Sequence, residues 1–125
     1  MGLYISLVLS LFLFGCGVKN DPPVRALIVV GPSNHAPGSH EVGAGGRLIE
    51  YCLENFENAP SMEADVIYAW SEIPQPSEAY STVVMIGDNF PGERLPDADQ
   101  AMKDLAIMMA RGCGLVSIHY GTGLL

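Results

Sequence analysis

Apolar runs that stop at glycine alternate with stretches of helical periodicity along this chain. VRALIVVG, at 24–31, is apolar with hardly a break. No period-two alternation marks a wet face, so it reads as a strand buried on both faces, as parallel sheets require. EVGAGGRLIEYCLENFEN comes next, at 41–58. Leu48, Ile49, Cys52, Leu53 and Phe56 recur on one face of a helix, and Glu50, Glu54 and Glu57 lie away from it. Gly43, Gly45 and Gly46 weaken its first turns or let its backbone approach a neighbour closely. ADVIYAW (64–70) and STVVMIGD (81–88) read as the second and third strands. SEIPQPSEAY between them is too short, and too broken by its prolines, for a crossover helix; it is expected to be a loop or a single turn. LPDADQAMKDLAIMMARG is a second helix, with Ala101, Leu105 and Met108 on one stripe and Gly112 as its stop signal. GLVSIHYG, at 114–121, is a fourth strand.

The order β-α-β-loop-β-α-β predicts an α/β fold: a parallel sheet with helices on both faces. The expected architecture is a flavodoxin-like three-layer sandwich, incomplete, with about four strands. The fourth strand would be central in the complete fold, where a covering helix and more strands normally come after it. Here only GTGLL remains, so the sequence predicts either an unusually small domain or a fragment. At 125 residues there is room for one domain at most.

LYISLVLSLFLFGCG, at 3–17, changes that picture at its front. Its apolar residues fall short of the ~20 needed to span a bilayer as a mature helix. The segment suits the hydrophobic region of a secretory signal. Leu13, Gly15 and Cys16 resemble a bacterial lipobox, in which the cysteine becomes the lipidated N-terminus; Phe14 is bulkier than usual there, and no Lys or Arg precedes the run. The division expected is therefore a signal peptide and lipobox at 1–16, a linker at 17–23 and the α/β domain at 24–125. That makes the protein exported, periplasmic or membrane-anchored through Cys16. An ordinary signal peptide and an out-of-frame start are the alternatives. Cys52 and Cys113 then remain, both read as small packing residues rather than a disulfide framework. A net charge of −8, with no Lys/Arg cluster, excludes a nucleic-acid partner.

The three histidines carry the candidate chemistry. In open α/β sheets ligands bind beyond the carboxyl ends of the strands. His35, His40 and Glu41 lie just after strand one, Asp88 and Asn89 just after strand three, and His119 ends strand four. In a flavodoxin-like order these strands are neighbours, so the groups line one crevice rim. Neutral imidazoles with a carboxylate suit zinc or another divalent transition metal. They equally suit general acid–base work, or hydrogen bonding to sugar hydroxyls. The residues leave the three open. GAGGR lacks both dinucleotide and Walker spacing. Ser117 lies within a strand rather than at a nucleophile elbow; Ile118-His119-Tyr120-Gly121 has the elbow's form with histidine in the nucleophile's place.

GPSNHAPGSHEVGAGGRLIEYCLEN and GCGLVSIHYGTG together resemble the ThuA-like (trehalose-utilisation) family. The resembling part runs from about Val24 to the C-terminus. The resemblance implies the fold of class I glutamine amidotransferases without their catalytic cysteine, a link to carbohydrate metabolism, and frequent export. It carries over His119, His40 and Glu41 as candidate catalytic residues and His35 as a further site residue. Asp88 and Asn89 join them as candidate ligand-binding residues by their place after strand three. Family domains are longer, and their part beyond strand four has no counterpart in this sequence. The expected function is a domain that acts on a carbohydrate-related small molecule, hydrolase-like, with histidines as proton-transfer groups or metal ligands. A non-catalytic carbohydrate-binding or interaction domain, or a truncated inactive fragment, is the alternative.

Overall fold

The computed structural model describes residues 22–88 and 94–118. Their elements are β1 (Val24–Val30), α1 (Val42–Glu54), β2 (Met62–Ile67), β3 (Tyr80–Ile86), α2 (Ala98–Ala110) and β4 (Gly114–Ile118). The strands form one sheet in the order β2-β1-β3-β4, every pair parallel. This is the order of the first four strands of a flavodoxin-like sheet. The chain moves outward one way from β1 to β2 and the other way from β3 to β4. Its two crossover helices consequently cover opposite faces.

On one face Ala26, Ile28 and Val30 pack with Ala64, Val84 and Ile86 beneath Val42, Ile49 and Leu53 of α1. On the other, Leu27, Val29, Val83 and Met85 pack with Ile67, Trp70 and Tyr80 beneath Ala101, Leu105 and Met108 of α2. The α2 stripe is the one its sequence spacing predicts. The α1 stripe is rotated from the expected one. Ile49 and Leu53 do face the sheet, but Leu48 and Phe56 are 62% and 63% exposed, and Cys52 is exposed too. The cause is the glycine pair. A Cβ on Gly46 would lie 2.5 Å from Val30 Cγ2, and one on Gly45 2.9 Å from Ile86 Cδ1. The sheet thus meets the helix along its bare glycine edge, and the larger apolar residues one step round are left outside. Cys113, in contrast, is buried in the α2-side core as expected, and burial pushes its thiol pKa up.

The second strand stops at Ile67 rather than at Trp70. Glu72 turns its carboxylate back to accept from the backbone N–H groups of Tyr68 (2.8 Å) and Ala69 (3.2 Å), starting a short 3-10 turn, Trp70–Glu72. Trp70 drops into the core and its indole N–H donates to Asp104 of α2 at 2.8 Å. A second 3-10 turn, Ser77–Ala79, completes the segment expected to be a loop or turn. The end of α2 is a Schellman motif: Cys113 N–H donates to Met108 C=O, Gly112 N–H donates to Met109 C=O, and Gly112 takes φ +94°.

Among the described residues β4 is an edge strand, as expected of an incomplete sheet of about four strands. Leu115 and Val116, which point to opposite faces, are 52% and 44% exposed. At the end of the strand Ile118 packs against the α1-side core. Within the same set, no helix is long and apolar enough to cross a membrane.

Candidate functional site

The order reverses between β1 and β3, and at such a switch point the loops leaving two neighbouring strands diverge and open a crevice. Here the backbone stays zipped one step past both strands. Gly31 N–H donates to Ile86 C=O at 2.7 Å and Asp88 N–H to Pro32 C=O at 2.9 Å. The approach is so close that a Cβ on Gly87 would lie 2.8 Å from Gly31 Cα. Asp88 emerges from this pinch with only 3% of its surface exposed.

The loop after β1 wraps around that carboxylate. Asn34 N–H donates to Asp88 Oδ2 at 2.7 Å, and the Ser33 hydroxyl reaches the same oxygen at 3.3 Å. Ser33 Oγ in turn accepts from His35 N–H at 3.2 Å. The loop then folds back through a turn at Ala36–Ser39 (3.0 Å), and Glu41 closes it by accepting from Gly38 N–H at 2.5 Å. This return brings the His40 ring against that of His35, with centroids 3.8 Å apart and planes at 57°. His35 Nε2 lies 3.6 Å from Asp88 Oδ2.

The outcome is a cluster. One ring nitrogen from each of His35 and His40 and one carboxylate oxygen of Asp88 all lie within 4.8 Å of one another. Asp88 is buried, His40 half-buried and His35 exposed. A shallow open depression of about 210 Å³ adjoins it, lined by His40, Glu41, Val42 and Ile86.

Of the residues expected at the rim, His35, His40 and Asp88 therefore meet. Glu41 sits beside His40 on the depression, but its carboxylate is engaged with the loop backbone. Asn89 and His119 lie outside the described residues, as does Cys16. Three contributors are not singled out by the sequence pattern. Ser33 and Asn34 hold the Asp88 carboxylate, and Arg94 donates from its guanidinium to the Asp88 carbonyl at 3.2 Å. Ser-Asn directly after Gly-Pro is a turn signal that marks residues whose short polar groups bond locally; Arg94 carries no comparable mark.

Comparison with family models, with curated proteins and with solved structures returns no match for this chain.

Proposed function

We propose that the chain is a ThuA-like domain that binds a carbohydrate-related small molecule in the depression beyond the ends of β1 and β3, with His35 and His40 as the groups that engage it. One observation carries this reading: residues far apart in sequence, His35 and His40 against Asp88, converge at the switch point of a parallel sheet, where ligands of such folds bind. An imidazole facing a buried carboxylate is suited to move a proton to or from a sugar oxygen, because the carboxylate steadies the charged ring. That supports a hydrolase-like activity. The engagement of Glu41 with Gly38 favours the second reading, a binding domain without turnover, because it ties up a carboxylate that lines the same depression.

Titration of the full chain with trehalose, with release of glucose measured in parallel, tests both. Binding should be lost in His35→Ala and His40→Ala while the melting temperature stays nearly unchanged, since both side chains sit in a surface loop. Trehalose binding that persists in both variants would refute the proposed site. Glucose release separates the enzyme from the binding domain.

Export and a lipid anchor at Cys16 belong to the same proposal, supported by the apolar run that ends in Leu-x-Gly-Cys. Cys16→Ser should move the protein from the membrane fraction to the soluble one. A wild-type chain already soluble would contradict the anchor.

A further inference from the structure

The separation of His35 Nε2 and Asp88 Oδ2 is not that of a direct hydrogen bond. A hydrogen bond between His35 and Asp88 would bring nitrogen and oxygen to roughly 2.7–3.2 Å. The observed 3.6 Å is longer. It is close to the separation of two ligands on one ion: bonds of about 2.0–2.1 Å at tetrahedral angles put neighbouring donor atoms about 3.3 Å apart. All three donor atoms lie within 4.8 Å of one another, a grouping that could hold one ion.

The support around the donors has the form that metal sites use. The Asp88 carboxylate is oriented by Asn34 N–H and Ser33 Oγ, outer contacts of the kind that fix a ligand before the ion arrives. Asp88 is buried at the floor and His35 is exposed at the mouth, so among the described residues the site faces solvent on the His35 side. The adjoining depression gives a small molecule room beside His40.

We propose that His35, His40 and Asp88 form a binding site for a divalent first-row transition metal, with its remaining coordination positions open toward the depression. Two imidazoles and one carboxylate suit zinc, iron(II), cobalt or nickel, and disfavour magnesium and calcium, which take oxygen ligands. Three protein ligands with an open position is the arrangement of catalytic rather than structural zinc. This rests on the ligand site described above, and in it the two rings hold the ion in place of moving a proton themselves. A bound ion would polarise a sugar hydroxyl or a water held in the depression.

The test is zinc titration of the chelator-stripped full chain by calorimetry, with cobalt(II) absorption as a second readout. One zinc per chain is expected, unaffected by a large excess of magnesium. His35→Ala and His40→Ala should each weaken zinc by tenfold or more, and Cys52→Ser should leave it unchanged. Absence of zinc binding would overturn the proposal, as would zinc that binds equally well to the two histidine variants. Trehalose titration of the same samples separates the two failures. Histidine-dependent trehalose binding without zinc binding would remove the metal and leave the ligand site. Histidine-dependent zinc binding without any response to trehalose would keep the metal and remove the carbohydrate.

Discussion

Asp88 and Tyr80 show how burial acts on single polar side chains at the two ends of the sheet. At the carboxyl end Asp88 is tolerated because the loop brings it donors from Asn34 and Ser33. At the amino end Arg25 Nη2 lies 2.6 Å from Asp65, Tyr80 donates its hydroxyl to the same carboxylate at 2.8 Å, and the Arg25 guanidinium stacks 4.7 Å from the centre of the Tyr80 ring. Burial, and then the Asp65 carboxylate, push the Tyr80 pKa well above the ordinary tyrosine value of 10.0. Above that ordinary value the unfolded chain loses the Tyr80 proton while the folded chain keeps it, so folded stability falls as pH rises through the alkaline range and is intact below it. Denaturant unfolding of Tyr80→Phe should decline less steeply with pH above about 10 than that of the wild type; equal slopes would show that Tyr80 does not contribute. Neither Tyr80 nor Asp65 stands out in the sequence, where one ends a broken loop and the other interrupts an apolar run. Their pairing depends on β1, β2 and β3 lying side by side.

The elements themselves are largely legible in the sequence, because a parallel sheet buried on both faces leaves continuous apolar runs and covering helices leave a stripe. The α2 stripe at Ala101, Leu105 and Met108 is the clear case. Helix α1 shows where pattern reading misleads. Periodicity assigns the core to the largest apolar residues, but close packing on a glycine edge turns Leu48, Cys52 and Phe56 outward. Its β propensity assigns Trp70 to a strand, whereas the carboxylate of Glu72 ends that strand and starts a turn. Glycine matters most at the pinch between β1 and β3. Gly87→Ala would drive its Cβ into the Gly31 backbone, where no side chain can rotate away. We expect a loss of about 1–3 kcal/mol, the usual cost of overpacking. Because the pinch sets Asp88 against the β1 loop, ligand binding should fall as well. A Gly87→Ala protein with wild-type stability and binding would show that the strand ends are not held this closely.

At the scale of the molecule, the described residues cover the sheet well at its centre and leave much of β4 exposed. Leu27 is fully buried, so Leu27→Ala should cost about 2–5 kcal/mol. Leu115 is half-exposed on the edge strand, and Leu115→Ala should cost less than about 1 kcal/mol, near the range of surface changes. Urea unfolding of the two variants checks this, and equal losses would mean that β4 is covered in solution. The rule that ligands bind beyond the strand ends selects His35, His40, Glu41, Asp88, Asn89 and His119, and of these His35, His40 and Asp88 meet among the described residues. The closing of the loop that joins them is not legible in the sequence, because it depends on backbone donors at Asn34 and Gly38 that almost any residue could supply. The central claim is the convergence of these residues at the switch point. Backbone amide shifts of the labelled full chain, recorded by NMR during titration with zinc and then with trehalose, test it most directly. The perturbed amides should cluster at residues 34–41 and at 87–88. Perturbations centred elsewhere, on the start of α2 or the exposed side of α1, or no perturbation by either probe, would contradict it.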